Sequence, residues 1–113
     1  MEEGQIQYFS FSEADSKGHE TAYPHPAFIL KMIIEMGMLF VIPLTHNVTK
    51  AKNHPFTVFI PKTQENRLKY DSIAEVFQAR AIDPRFRLGE PIGPLESNKI
   101  EEIKLTLKRM LNL

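Results

Sequence analysis

Met38-Leu-Phe-Val-Ile-Pro-Leu-Thr45 is the stretch on which the fold turns. It is a near-continuous apolar run of strand length, and such a run suits a β-strand covered on both faces. Pro43 has no backbone N–H to give to a ladder, which predicts an edge position or a bulge there. The apolar residues extend only from Met36 to Leu44 and include Gly37 and Pro43, far too short a run to span a bilayer.

Outward from this strand the chain reads as further short strands. Upstream, Pro26 to Ile34 begins as an apolar strand, and Gln5 to Phe11 is aromatic-rich and also reads as one. Between them, Ser12 to Thr21 is polar and aperiodic, long enough for a flap over the surface. Downstream, His46 to Pro55 is a polar loop and Phe56 to Ile60 a strand. Pro61 to Tyr70 is polar again, and Asp71 to Ala81 reads as one or two short strands. Pro84 blocks continuation, and Arg87 to Ile92 forms a last strand before Gly93-Pro94. Ser97 to Leu113 is the clear helix, with Ile100, Ile103, Leu107 and Met110, joined by Leu111, at helical spacing on one face. Ser97 is suited to its N-cap, with Glu96 as the alternative start. Many short strands and one terminal helix predict a mainly β fold, a small barrel or sandwich with the helix packed on it.

With 113 residues and 42% apolar side chains, the chain is expected to be one globular domain spanning 1–113. It has no cysteine, which excludes disulfides and thiol catalysis and fits a reducing cytoplasm. Met1-Glu-Glu-Gly lacks the basic and apolar regions of a signal peptide. Net charge is zero, unlike the basic excess of a dedicated duplex-DNA binder. The charge is unevenly placed, however. Residues 1–20 carry five acids against Lys17, whereas Arg80, Arg85 and Arg87 face only Asp83, and Lys50 and Lys52 have no acid near them. Both a local basic surface and ordinary solvated loops fit this pattern.

The titratable residues narrow the chemistry. His19, His25, His46 and His54 show no metal-ligand spacing, and no phosphate-cradling glycine motif or nucleophile elbow occurs. Metal-free RNA cleavage needs less: a base for the 2′-hydroxyl, an acid for the leaving 5′-oxygen, and a cation or donor for the phosphate. Glu20, His19 and His25 share one loop stiffened by Pro24 and Pro26; Thr45 and His46 end the Met38 strand; Arg80 follows another strand. Loop histidines without a chemical role fit the same positions.

The motifs resemble, in order along nearly the whole chain, those of the MazF/PemK toxins of bacterial toxin–antitoxin systems. Gly18-His-Glu20 with Pro26-Ala27 resembles that family's G-x-E-Q…R-P-A, and Val41-Ile-Pro-Leu-Thr45 its V-x-P-[IL]-T. His54-Pro-Phe-Thr-Val resembles Y-P-F-x-V, and Gln78-Ala-Arg-Ala-Ile-Asp83 resembles Q-I-R-T-I-D. Arg87-Leu-Gly with Ile92-Gly93 before the helix resembles R-L…K-I-G. The resemblance implies an SH3-like small β-barrel with a C-terminal helix, as in MazF, PemK and CcdB. It also implies a cytoplasmic homodimer and a metal- and cofactor-independent endoribonuclease. Such an enzyme cuts single-stranded RNA to a 2′,3′-cyclic phosphate and is held in check by a cognate antitoxin. Glu20, Thr45 and Arg80 match its site positions. His25 stands where the family has an arginine, and Phe77 where it has an acid. Catalytic candidates are therefore Glu20, His25, Thr45 and Arg80; RNA-binding candidates are His19, His46, Lys50, Lys52 and Gln78. The alternative expectations are a non-cutting homologue that binds RNA or an antitoxin, and a gyrase poison resembling CcdB.

Overall fold

The computed structural model describes residues 2–10, 24–51, 53–86 and 88–113. These form seven strands: β1 (Gln5–Ser10), β2 (Pro24–Ile33), β3 (Met38–Thr45), β4 (Thr57–Ile60), β5 (Ser72–Glu75), β6 (Arg80–Ile82) and β7 (Leu88–Pro94). A one-turn helix, α1 (Val48–Ala51), interrupts the expected polar loop, and α2 (Ser97–Leu111) closes the order. The loop expected over 12–21 lies outside the described residues. The fold is mainly β with a C-terminal helix, as the strand and helix signals predict. Its hydrogen-bonded path runs β4-β5-β3-β2-β1-β7 and is open, with β6 also on β3.

β3 is an interior strand, not the edge that Pro43 predicts. One side pairs with β2 from Ala27–Pro43 to Ile33–Met38. The other side pairs with β6 over Leu39–Val41 and with β5 over Leu44–Thr45. Pro43 falls where that second side changes partner, so its missing donor interrupts neither short ladder. The bulge lies instead in β2, at Leu30 between Ile29 and Lys31. There the Glu3 carboxylate accepts from the Met32 N–H at 2.8 Å and lies 3.7 Å from Lys31 Nζ.

Strand alternation gives the sheet two apolar faces. Ile6, Phe28, Ile42, Leu44, Val58 and Ile60 bury one face around Ile103 of α2. Ile100, Leu107 and Met110 pack against it, but Leu111 points outward and is 54% exposed. Phe9, Ala27, Ile29, Leu39, Val41 and Ile82 bury the opposite face. α2 starts at Ser97 with Glu96 as its N-cap, whose side chain does not cap the helix.

The Glu96 side chain is engaged elsewhere, in the turn before β5. Asn66, fully buried, accepts from the N–H groups of Thr63 and Leu68, both at 3.0 Å. It donates to the Pro61 carbonyl at 3.0 Å and to Glu96 Oε1 at 3.1 Å, while Thr63 Oγ1 donates to Glu96 Oε2 at 2.6 Å. β7 passes against this turn so closely that a Cβ on Gly93 would sit 2.6 Å from the Asn66 carbonyl oxygen. Asn66→Ala leaves two buried N–H donors unpaired and is expected to cost about 2–4 kcal/mol, read from urea midpoints. Burial raises the Glu96 carboxyl pKa, but the bonds from Thr63, its own backbone and Asn66, with the Lys99 charge, bring it below its ordinary 4.5. Its ionised form therefore stabilises the fold above that value, and the contribution is lost as pH falls through the lowered one. The stability gap between the wild type and Glu96→Gln should thus narrow on acidification below pH 4.5; a pH-independent gap would contradict the network.

Candidate functional site

His25 and Thr45 both lie two residues beyond Ala27–Pro43, the last pair of the β2–β3 ladder. Phe9 pairs with His25 across β1 and β2, and Thr45 pairs with Ile73 across β3 and β5. Beyond Ala27–Pro43 the β2–β3 ladder ends, and each strand continues beside another neighbour, His25 beside Phe9 and Thr45 beside Ile73. Paired residues share a face, and Phe9 and Ala27 belong to the buried cluster on the side away from α2. His25 and Thr45 therefore project on that side at its rim, where both are half-buried.

Arg80 joins the same face. It pairs with Val41, whose side chain lies in that cluster, four residues along β3 from Thr45. Four residues correspond to about 13 Å, a span that a guanidinium and a bound phosphate together can bridge. Arg80 Nη2 donates to Gln78 Oε1 at 3.1 Å and its Nε to the Gln78 carbonyl at 3.4 Å. Gln78, expected as an RNA contact, therefore orients Arg80. Thr45 Oγ1 accepts from the Asn47 N–H at 3.2 Å, a bond that does not use the hydroxyl proton.

The other candidates scatter. His46 is exposed beside Thr45, and Lys50 lies in α1. Glu20, His19 and Lys52 lie outside the described residues, as does Arg87 of the expected basic patch. Arg85, from the same patch, is bound to Asp83 by a forked contact with Nη2–Oδ2 at 2.7 Å. The Asp83 bond and charge raise its pKa above its ordinary value, so this cation is already matched locally. Among the described residues no three His, Asp or Glu side chains cluster as metal ligands, and no helix is long and apolar enough to cross a membrane. A groove of about 670 Å³ lies elsewhere, between β4 and the C-terminal half of α2, lined by Thr57, Leu105, Lys108 and Arg109.

Sequence reasoning missed two ring partners of the histidines. His46 stacks on Tyr70 with centroids 4.9 Å apart, and His54 tilts against Phe77 at 5.4 Å. Both histidines come from one connection and both aromatics flank β5, a pairing that only the tertiary fold reveals.

Residues 2–111 match the family described as PemK-like, MazF-like toxin of type II toxin-antitoxin system. Solved structures share the fold. MazF (Form-I) from Deinococcus radiodurans superposes with a TM-score of 0.77 at 22% identity, covering 100% of this chain and 97% of its own. The Mycobacterium tuberculosis toxin MazF-mt6 gives 0.70 at 16% identity, over 96% of this chain and 97% of its own. An endoribonuclease in complex with its cognate antitoxin from Mycobacterial species gives 0.70 at 15%, over 98% and 94%. No curated protein matches.

Whether one row sets His25 opposite Thr45 has a direct test, because the chain contains no cysteine. Directly opposed residues in an antiparallel pair have Cα atoms about 4.5–5.5 Å apart, within disulfide range. The double variant His25→Cys with Thr45→Cys should form an intramolecular disulfide under mild oxidation, seen as a loss of two mass units. Persistent free thiols in a folded protein would refute the row.

Proposed function

The chain belongs to the PemK-like, MazF-like toxin family of type II toxin–antitoxin systems, and on that premise we propose that it is an endoribonuclease acting on single-stranded RNA without a metal. The observation that supports this reading is that strand alternation and pairing put His25, Thr45 and Arg80 on the same face, the one opposite α2.

The reaction divides among these groups. A base removes the 2′-hydroxyl proton, and the 2′-oxygen attacks the adjacent phosphorus. The bond to the 5′-oxygen then breaks, leaving a 2′,3′-cyclic phosphate and, once the leaving oxygen is protonated, a 5′-hydroxyl. His25 in its protonated form supplies that proton, and Thr45 donates its hydroxyl to a non-bridging phosphate oxygen. The Arg80 guanidinium, held by Gln78, balances the charge growing on the phosphate. Glu20 takes the base role by the family resemblance. In the family's arginine position, His25 replaces a permanent cation with a group able to give and take a proton near neutral pH. That change moves the positive charge onto Arg80 and the acid role onto His25. Phe77 brings no carboxylate to its position and packs against His54 instead.

The remaining assignments follow from the same family. The protein works in the cytoplasm as a homodimer with RNA along the subunit interface, and a cognate antitoxin blocks that groove. The structure described as an endoribonuclease with its cognate antitoxin supports this partner. His19, His46, Lys50 and Lys52 contribute RNA contacts around the cut.

Incubation with a long RNA in EDTA, followed by end-group mapping, should give discrete cuts with cyclic phosphate ends. His25→Ala should lower the cleavage rate by at least about 100-fold, at the low end for losing a general acid, with little change in melting temperature. Arg80→Lys should keep more activity than Arg80→Ala, because a point charge replaces part of a forked clamp. Undiminished cleavage by His25→Ala would end the assignment of the acid. RNA bound but never cut by the wild type would leave a binding protein of the same fold.

A further inference from the structure

The two ring pairs flank β5 at its opposite ends. Tyr70, two residues before β5, is 60% exposed, and Phe77, in the turn after it, is 38% exposed. Their imidazole partners, His46 and His54, are exposed as well. The His46–Tyr70 rings are stacked at 29° and the His54–Phe77 rings tilted at 37°. In each pair the rings contact one another and remain solvent-accessible, which leaves ring surface for a third planar group.

Anchoring of the 46–56 connection does not require these rings. Ala51 buries itself to 3% exposure, the Asn47 N–H bonds to Thr45, and Thr57 Oγ1 donates to the His54 carbonyl at 3.3 Å. The chemistry around the pairs suits a polyanion. Residues 46–56 contain Lys50 and Lys52 and no acid, and the nearby Asp71 carboxylate is occupied by the Lys62 N–H at 2.9 Å. Thr45, the phosphate donor proposed above, immediately precedes His46, so phosphate donor and ring platform are adjacent along the chain. A nucleotide presents phosphate and base in a similar adjacency. Tyr70 and Phe77 are seven residues apart across β5, so the two platforms lie at most about 25 Å from each other.

We propose that His46–Tyr70 and His54–Phe77 are stacking platforms for two unpaired bases of the RNA strand, and that they fix which nucleotides flank the cut. The proposal rests on the ribonuclease reading and adds a substrate-positioning surface to it. Stacking accepts any base in kind but ranks bases by stacking strength, so the platforms bias the cut toward purines in the stacked positions.

The test uses the full-length protein in EDTA. The ligands are short RNA oligonucleotides spanning a mapped cut, with 2′-deoxy sugar at the cut to block cleavage and 2-aminopurine at one position at a time. Stacking on a ring changes 2-aminopurine fluorescence. The wild type and Tyr70→Phe should change it at the same position. Tyr70→Ala should lose the change there, and Phe77→Ala should lose it at a different position. On cleavable RNA, each alanine variant should raise KM about ten-fold while kcat holds, consistent with about 1–3 kcal/mol per stacked base. Should Tyr70→Ala fail to fold, Tyr70→Leu, which keeps apolar bulk without a π face, gives the same reading. Wild-type cleavage together with unchanged KM and fluorescence in folded ring variants would overturn the platforms alone. A wild type that neither binds nor cuts RNA would overturn the ribonuclease reading and the platforms with it.

Discussion

The double pairing of β3 is the constraint on which the rest depends. The strand meets β2 on one side and both β6 and β5 on the other, and it contributes to both apolar faces. Leu39 and Val41 are buried on one face, Ile42 and Leu44 on the other. A slip of one residue would exchange those sets and turn Thr45 toward α2. Burial on both faces thus fixes the register of β3, and the register fixes which face Thr45 takes.

Much of the fold was readable because the signals were local. The apolar run from Met38 to Thr45 is one strand, residue for residue, and α2 begins at Ser97, as its sequence predicts. The errors came where tertiary partners decide. Pro43 announces a missing donor, but nothing in the sequence tells that the neighbouring strand changes there. A single turn such as α1 is too short for a periodic signal. Ser97 has the chemistry of an N-cap, yet Glu96 takes the position because its carboxylate is drawn to Thr63 and Asn66. Leu111, counted with the buried stripe, lies beyond its edge.

The candidate site was legible as a set of residue types and illegible as an arrangement. His25, Thr45 and Arg80 are 20 and 35 residues apart in the chain, and only the ladders bring them to one face. Gln78 illustrates the difference. Expected as an RNA contact, it also bonds the Arg80 guanidinium in the fold. Tyr70 and Phe77 gave no signal of their own, since single exposed aromatics are ordinary on protein surfaces. They gain meaning from imidazoles that the chain supplies from elsewhere.

The two ends of the sheet differ in a way that bears on assembly. At one end β7 carries Pro91 and Pro94, and its register with β1 shifts twice. Proline and broken register deny that edge a regular row of donors. At the other end β4 has no internal proline, and β5 is its one strand partner among the described residues. Of the two ends of the path, β4 is therefore the margin that keeps a regular row of donors and acceptors for a further strand.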